Sequence, residues 1–358
     1  MVTISLCLIV KNEESVLARC LDSVRDLADE IVIVDTGSTD KTKEIARKYT
    51  GKVSDFEWVN DFSAARNEAF SRATMDYAMW LDADDIVPPE SLKRMLALKE
   101  SLNPDVDIVA MKYLTHFDAG GNPILTSTRE RWIRLGGGYI WIDPVHECIP
   151  LVGNVLYTDI EIVHKKGPST SDPNRNIKIY DAVEASGKPM SARQLYYYAR
   201  ELKDHCAWAK AAYYFERFLD GKQGWVEDNI ATCFNLSICY NAMGEEHKIL
   251  PILLRSFHFD APRAEICSEL GYYYKRAKNH RAALQWFNIA SNLGSPSGAG
   301  FILCDYWGYI PNIEACVCCC ELGDFKTAAV YNERAAGFKP DSEAVSINRE
   351  YLAGLGIG

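Results

Sequence analysis

Apolar and polar positions follow two different rules along this chain. Through the first 165 or so residues, short apolar runs alternate with amphipathic stretches. Residues 3–10 and 30–35 are apolar runs that read as strands, and residues 14–27 between them carry helical spacing. Thr36-Gly37-Ser38-Thr39-Asp40 offers a turn and an N-cap for a helix over 41–49. Residues 52–59 predict a third strand, 61–70 a capped helix, and 77–81 a buried strand. Strands alternating with helices imply βαβ units and a mainly parallel sheet, which binds ligands beyond the carboxyl ends of its strands. Asp35 and Asp82 both stand at such ends, so they are expected to line one cleft.

From about residue 190 the grammar becomes helical and repetitive. Units aligned on small and aromatic positions begin near Ala192, Ile230, Ala264 and Tyr309. Eight residues into each stands a small residue: Ala199, Ser237, Gly271 and Cys316. Twenty residues in stand Ala211, Ile249, Ala283 and Ala328. The second and third units are 34 residues apart, the tetratricopeptide period, and the wider spacings of 38 and 45 leave room for insertions such as residues 297–308. Small residues let paired helices approach while aromatics fill the space between hairpins. The expected organisation is therefore an α/β domain over 1–167, a linker with a bridging helix over 168–190, and an all-α repeat domain over 191–358.

Composition narrows the function classes. A formal net charge of −10 argues against a general nucleic-acid binder, though not against a phosphate-bearing small molecule held through a cation. No apolar run approaches the ~20 residues that span a bilayer, and the apolar N-terminus lacks a basic leader, so it reads as a first strand. The 12 cysteines form no disulfide-like framework, which points to a reducing, cytoplasmic setting. The C-x-x-C spacing within residues 316–320 lacks the second pair or histidine of a zinc site, so these cysteines are expected to pack a helix.

The candidate chemistry centres on Asp82-Ala83-Asp84-Asp85, which closes the apolar run 77–81. Carboxylates crowded at a strand end need a cation, and Mg²⁺ or Mn²⁺ completed by substrate phosphates is the natural one. A solvated acidic loop, with Asp84 or Asp85 capping the helix that begins near Pro88, is the plain alternative.

Four motifs occur in order: Lys11-Asn12-Glu13 after the first strand, Asp35 with residues 36–40, Ala65-Arg66-Asn67, and Asp82-Ala83-Asp84. Together they resemble family 2 of the GT-A glycosyltransferases, across essentially residues 1–165. The run 60–67 and Pro144-Val145-His146-Glu147 are also similar to a narrower bacterial subgroup with C-terminal helical repeats. That subgroup includes enzymes that glycosylate cysteine or serine of bacteriocin peptides.

The resemblance implies a GT-A fold, Rossmann-like with a mainly parallel sheet, followed by a tetratricopeptide-like repeat domain. It implies that Asp35 accepts from the uracil imide of a UDP-sugar, that Arg66 approaches the base, and that Glu13 sits at the nucleotide pocket. A helix N-terminal carboxylate explains Glu13 almost as well. Asp82 would lie by the ribose and the metal, Asp84 would coordinate the cation, and Asp85 would serve the fold. Gly137, within Gly136–Gly138, would let the backbone approach the sugar, although three glycines also make a hairpin turn. Glu147 is the candidate base for an inverting transfer, and His164 the candidate second metal ligand, since neutral imidazole suits Mn²⁺. His146 could replace either residue in its role, and is also placed with the nucleotide.

The expected activity is a metal-dependent, inverting transfer from a UDP-sugar to a peptide or protein, the repeats gripping an extended acceptor. An alternative keeps the fold with a cell-envelope saccharide or lipid-linked acceptor. Another is a non-catalytic repeat scaffold with a nucleotide-binding domain. Exposed repeat edges leave room for a homodimer.

Overall fold

A computed structural model describes residues 1–167, 172–294 and 300–357. The chain forms two compact units, one of residues 1–116 and 126–188, the other of residues 117–125 and 189–358.

The first unit is built on a mixed sheet. Its elements are β1 (Ile4–Val10), α1 (Leu17–Val24), β2 (Glu30–Asp35), α2 (Thr42–Ala46), β3 (Val53–Asp55), α3 (Phe62–Ser71), β4 (Tyr77–Trp80), β5 (Asp85–Ile86) and α4 (Pro89–Ser101). β6 (Ile108–Phe117), β7 (Pro123–Arg134), β8 (Val155–His164) and α5 (Arg175–Ala185) complete it, the tips of β6 and β7 counting with the second unit. The strand order is β3-β2-β1-β4-β7-β6-β8-β5. β1 pairs in parallel with β2 and β4, and β2 with β3, so their carboxyl ends share one edge. β7 enters antiparallel to β4, and β8 antiparallel to β5. β1, β2 and β4 are buried almost throughout, as continuous apolar runs in a doubly covered sheet must be.

Three local expectations need correction. The strand expected over 52–59 ends at Asp55, where pairing with β2 stops. The helix expected over 14–27 begins only at Leu17, because residues 13–16 form a turn in which the Glu13 carbonyl accepts from Val16 and Leu17. Neither Asp84 nor Asp85 caps α4, whose N-cap is Pro88 with no side-chain bond, while Asp85 opens β5. α3 starts as expected, Asp61 accepting from the Ala64 amide.

The expected bridging helix, α5, belongs to the first unit. Ile179 and Tyr180 are buried there, and the Tyr180 hydroxyl donates to the Val145 carbonyl at 3.2 Å. The expected start of the linker, residues 168–171, lies outside the described residues.

The second unit is a stack of helical hairpins. Its helices are α6 (Ala192–Asp204), α7 (Trp208–Gly221), α8 (Val226–Ala242), α9 (Glu246–Arg255), α10 (Ala264–Arg276), α11 (His280–Ser291), α12 (Tyr309–Glu321), α13 (Phe325–Phe338) and α14 (Glu343–Gly354). α6, α10 and α12 begin at the residues the repeat alignment marks, whereas α8 starts at Val226, one turn before Ile230. The small positions Ala199, Ser237 and Cys316 are buried where partner helices meet, as are Ala211, Ile249, Ala283 and Ala328. At Gly271 a Cβ would come within 2.7 Å of the Phe287 ring, so α10 and α11 approach as closely as glycine allows. The cysteines of α12 are free, and Cys316, Cys318 and Cys319 are core. Among the described residues, no helix is long and apolar enough to cross a membrane.

Between α11 and α12 runs β9 (Phe301–Leu303), followed by a short 3₁₀ turn. This segment packs on the first helices of the hairpins. Tyr306 meets Phe234 edge to face at 5.7 Å, and its hydroxyl donates to Glu269 at 3.3 Å. Lys339 anchors it by ion-pairing with Asp305 at 2.7 Å. Residues 301–307 therefore already cover part of the face expected to hold an extended peptide.

Candidate active site

The carboxyl ends of β1, β2 and β4 supply most of the site. Val10 is in register with Asp35, and Asp82 follows β4 by two residues. Fully buried Asp35 turns its own loop, Oδ1 accepting from the amides of Gly37 at 3.0 Å and Ser38 at 2.8 Å. Gly37, at φ +102°, takes a conformation that a side chain would resist. The other oxygen, Oδ2, is buried without a hydrogen-bond partner. Such an atom costs free energy unless a ligand satisfies it. The loops after β1 and β2 are stitched together, Asn12 Oδ1 accepting from the Thr39 amide and the Glu13 amide donating to Thr42.

Arg66, reaching up from α3, is the electrostatic hub. Its guanidinium packs against Trp80 and Trp141, 4.5 and 4.9 Å from their ring centres. Nε donates to Glu147 at 2.6 Å and Nη2 to Asp82 at 2.7 Å. Burial would raise the Asp82 pKa, but Arg66 above all, with Arg131 and His164, holds it below the usual range. Glu13 faces the same cluster. Burial first, then the charges of Asp84, Asp82 and Asp40, push it up to about 7.

A second cluster lies where β5 pairs with β8, which sets Asp85 opposite His164. One ligand atom from each of Asp84, Asp85 and His164 falls within 4.8 Å of the others. His164 Nδ1 is 3.3 Å from Asp84 and 3.4 Å from Asp85. Burial opposes the charged ring, but these two carboxylates raise its pKa to about 10. Two carboxylates and an imidazole fit Mn²⁺ or Mg²⁺, with Mn²⁺ the better match for nitrogen.

Asp85 is the most committed of the three. It accepts from the Asp82 amide at 3.0 Å, the Tyr113 hydroxyl at 2.7 Å and Arg131 at 3.2 Å. Fully buried Arg131 also donates to the Trp80 carbonyl and lies 3.9 Å over the Trp80 ring. The expected structural role of Asp85 therefore has a concrete form, since it braces the turn that presents Asp82 and Asp84.

Two nucleotide-site candidates stand differently. Gly137 is not brought to the cluster. It follows β7, whose Arg134 pairs with Tyr77 at the start of β4, the sheet edge opposite Asp82. There its space is taken by Tyr139, whose ring a Cβ would meet at 2.5 Å, and Gly136 and Gly138 at positive φ make a turn. His146 adjoins Glu147 at φ +54°, its ring stacked 6.2 Å from Tyr180, and is not in the ligand group with Asp84.

Sequence reasoning missed Tyr113, Trp141 and Arg131 as parts of the site. Arg131 carries the one available signal, an arginine before a tryptophan 46 residues after Asp85. Tyr113 and Trp141 come from strand and loop positions that nothing marks.

The profile of the family described as "Glycosyl transferase family 2" matches residues 5–144. The first unit is accordingly a GT-A domain, and the second a tetratricopeptide-like array.

Among characterised sequences, the chain is similar to the SPbeta prophage-derived glycosyltransferase SunS of Bacillus subtilis. They are 28% identical over 214 residues, covering 56% of this chain and 49% of that one. It is also similar to a TPR repeat-containing protein of Synechococcus elongatus, 48% identical over 85 residues, or 24% of this chain and 21% of the other. The chain thus matches half or less of the length of these relatives. A solved structure of glucosyl-3-phosphoglycerate synthase from Mycobacterium tuberculosis, with Mn²⁺, uridine-diphosphate-glucose and glycerol 3-phosphate, is 23% identical. It covers 31% of this chain and 44% of its own at a TM-score of 0.27, too partial an overlap to carry weight.

Proposed function

We propose that the protein transfers a sugar, with inversion, from a UDP-sugar to a peptide or protein side chain in a metal-dependent reaction. One observation carries the reading: Asp35 keeps a buried, unpartnered Oδ2 beside strand ends that also bear an acidic cluster with metal-ligand geometry. Asp35 Oδ2 would accept the uracil imide proton, and Glu13 would border the ribose and phosphates. Asp84 and His164 would hold Mn²⁺ or Mg²⁺, which when bound offsets charge on the departing diphosphate.

Glu147 would take the proton from the acceptor. Arg66 holds its Oε1 and leaves Oε2 to do so. Arg66 is in this reading a positioning residue, because its guanidinium is already committed to Glu147, Asp82 and two indoles. That differs from the expectation that it reaches the base. A peptide acceptor is supported by the resemblance of residues 60–67 and 144–147 to peptide-modifying enzymes and by the helical array. A saccharide acceptor is favoured by the covering of part of the array by residues 301–307.

The test is release of UDP from a panel of UDP-sugars with Mn²⁺, with and without peptides bearing cysteine or serine, and with saccharides. Peptide-stimulated release that Asp84→Ala abolishes supports the reading. Stimulation by saccharides alone moves the acceptor to the second class, and no release from any UDP-sugar removes the activity.

A further inference from the structure

The second unit contains a half-enclosed cavity of about 170 Å³ lined by α6, α8, the start of α10, residues 301–307 and Leu125 near the start of β7. That is well below the roughly 300–1,000 Å³ of sites for drug-sized ligands. Its walls are of two kinds. Ile230, Phe234, Ile266 and Phe301 are apolar, whereas Arg200, Lys203, Arg263, Glu227, Asp228 and Glu265 bring three charges of each sign.

Several of these charges are already satisfied. Arg263 Nη2 pairs with Glu227 at 2.8 Å and Asp260 at 2.7 Å. Lys203 donates to Asn235 at 2.8 Å and lies 3.2 Å from Asp204. Arg200 and Glu265 each keep a buried atom without a partner, and Asp228 faces Arg200 on the same lining.

The Arg200 guanidinium is wedged 4.4 Å from the Phe301 ring and 5.6 Å from that of Tyr196, and its Nη1 is buried without a partner. Glu265 accepts from the Trp307 indole through Oε1 at 3.0 Å, and its Oε2 is likewise buried without a partner. Asp228 is only 9% exposed. Burial pushes its carboxyl up to about 6 against the pull of Arg193 and Arg200, and burial raises Glu265 too. A buried guanidinium nitrogen and a buried carboxylate oxygen left without partners are costly as they stand. Full charges favour charged partners over a neutral amide, and the balance of lining charges favours a ligand of no net charge.

We propose that this cavity binds a small zwitterion of the α-amino acid class with an apolar side chain. The ligand carboxylate goes to Arg200, its ammonium to Asp228 and Glu265, and its apolar body against Ile230, Phe234, Ile266 and Phe301. The site lies wholly within the helical unit and does not depend on sugar transfer. It gives the segment 301–307 a purpose, which is to close part of an open helical face into a pocket for a small molecule.

Calorimetric titration of the full-length protein with L-leucine, L-phenylalanine, N-acetyl-L-leucine and L-leucinamide tests it. The free amino acids should bind saturably, and each blocked analogue at least tenfold more weakly. Arg200→Gln should weaken leucine binding at least tenfold. Glu265→Gln, nearly isosteric and chosen in case the first variant folds poorly, should weaken leucine and leucinamide while leaving the weak N-acetyl-leucine unchanged. The proposal is overturned if neither L-leucine nor L-phenylalanine binds. It is equally overturned if the blocked analogues bind as tightly, which would indicate a neutral peptide group, or if Glu265→Gln binds like the wild type.

Discussion

Arg66 donates from Nε to Glu147 Oε1 at 2.6 Å across 81 positions of sequence, while its Nη2 holds Asp82 at 2.7 Å. One guanidinium thereby sets the spacing between Glu147 and the acidic turn at the strand end. Arginine suits this because its planar fork serves two acceptors while it packs against indoles, and lysine cannot do both.

Arg66→Lys should therefore fail to rescue. Transfer is expected to fall at least 100-fold for Arg66→Lys as for Arg66→Ala. Arg66→Ala should also lose about 3 kcal/mol of stability, since it leaves partly buried carboxylates without their counter-ion. Initial rates of UDP release and urea unfolding measure the two effects.

Glu147→Gln separates chemistry from donor binding. Turnover is expected to drop by about 10²–10⁴-fold, the range that loss of a general base costs. UDP affinity in the presence of Mn²⁺ should change less than threefold. Equal losses of turnover and UDP affinity would move Glu147 into the donor pocket.

Acid stability should report on Glu30, at the sheet edge away from Asp82. Burial alone would raise its pKa, but Lys52, Ser5 and Thr74 bind the charged form and bring it to about 2. The folded value lies below the ordinary 4.5. The stabilisation is thus fully present above that pH and is lost as pH falls from 4.5 toward 2. Lys52 is half exposed, so the effect should be roughly 1–2 kcal/mol rather than the full shift. Urea midpoints of the wild type and Glu30→Gln at pH 7 and pH 3 should converge at the lower pH.

Gly271→Val tests the close approach of α10 and α11. A Cβ there meets the buried Phe287 ring at 2.7 Å, so the added bulk must displace a core aromatic. A loss of about 2–3 kcal/mol is expected, despite valine's better helix propensity than glycine's. Thermal unfolding of the variant measures it.

How far the sequence discloses this molecule depends on the range of each cause. β2 spans the residues its apolar run predicts, and the small positions of the repeats sit where helices touch, because local pattern decides both. The Asp84–His164 approach could be anticipated only through motif order, since β5–β8 pairing brings together residues 79 positions apart. Gly137 misled because glycine marks a turn without saying at which edge of the sheet it falls, and the antiparallel entry of β7 decides that. Arg131 and Tyr113 brace Asp85 from strands whose neighbours no local pattern names. The covering of α8 and α10 by residues 301–307 was hidden for the same reason, an insertion having no period to read.

The central claim is that the strand-end cluster binds a nucleotide diphosphate through a divalent cation. Calorimetric titration of UDP into the wild type and Asp84→Ala, each with Mn²⁺ and with chelator, tests it most directly. The account predicts saturable binding by the wild type with Mn²⁺, at least tenfold weaker with chelator, and no gain from Mn²⁺ in Asp84→Ala. Binding that is indifferent to Mn²⁺, or an Asp84→Ala variant that responds to it like the wild type, would contradict the account.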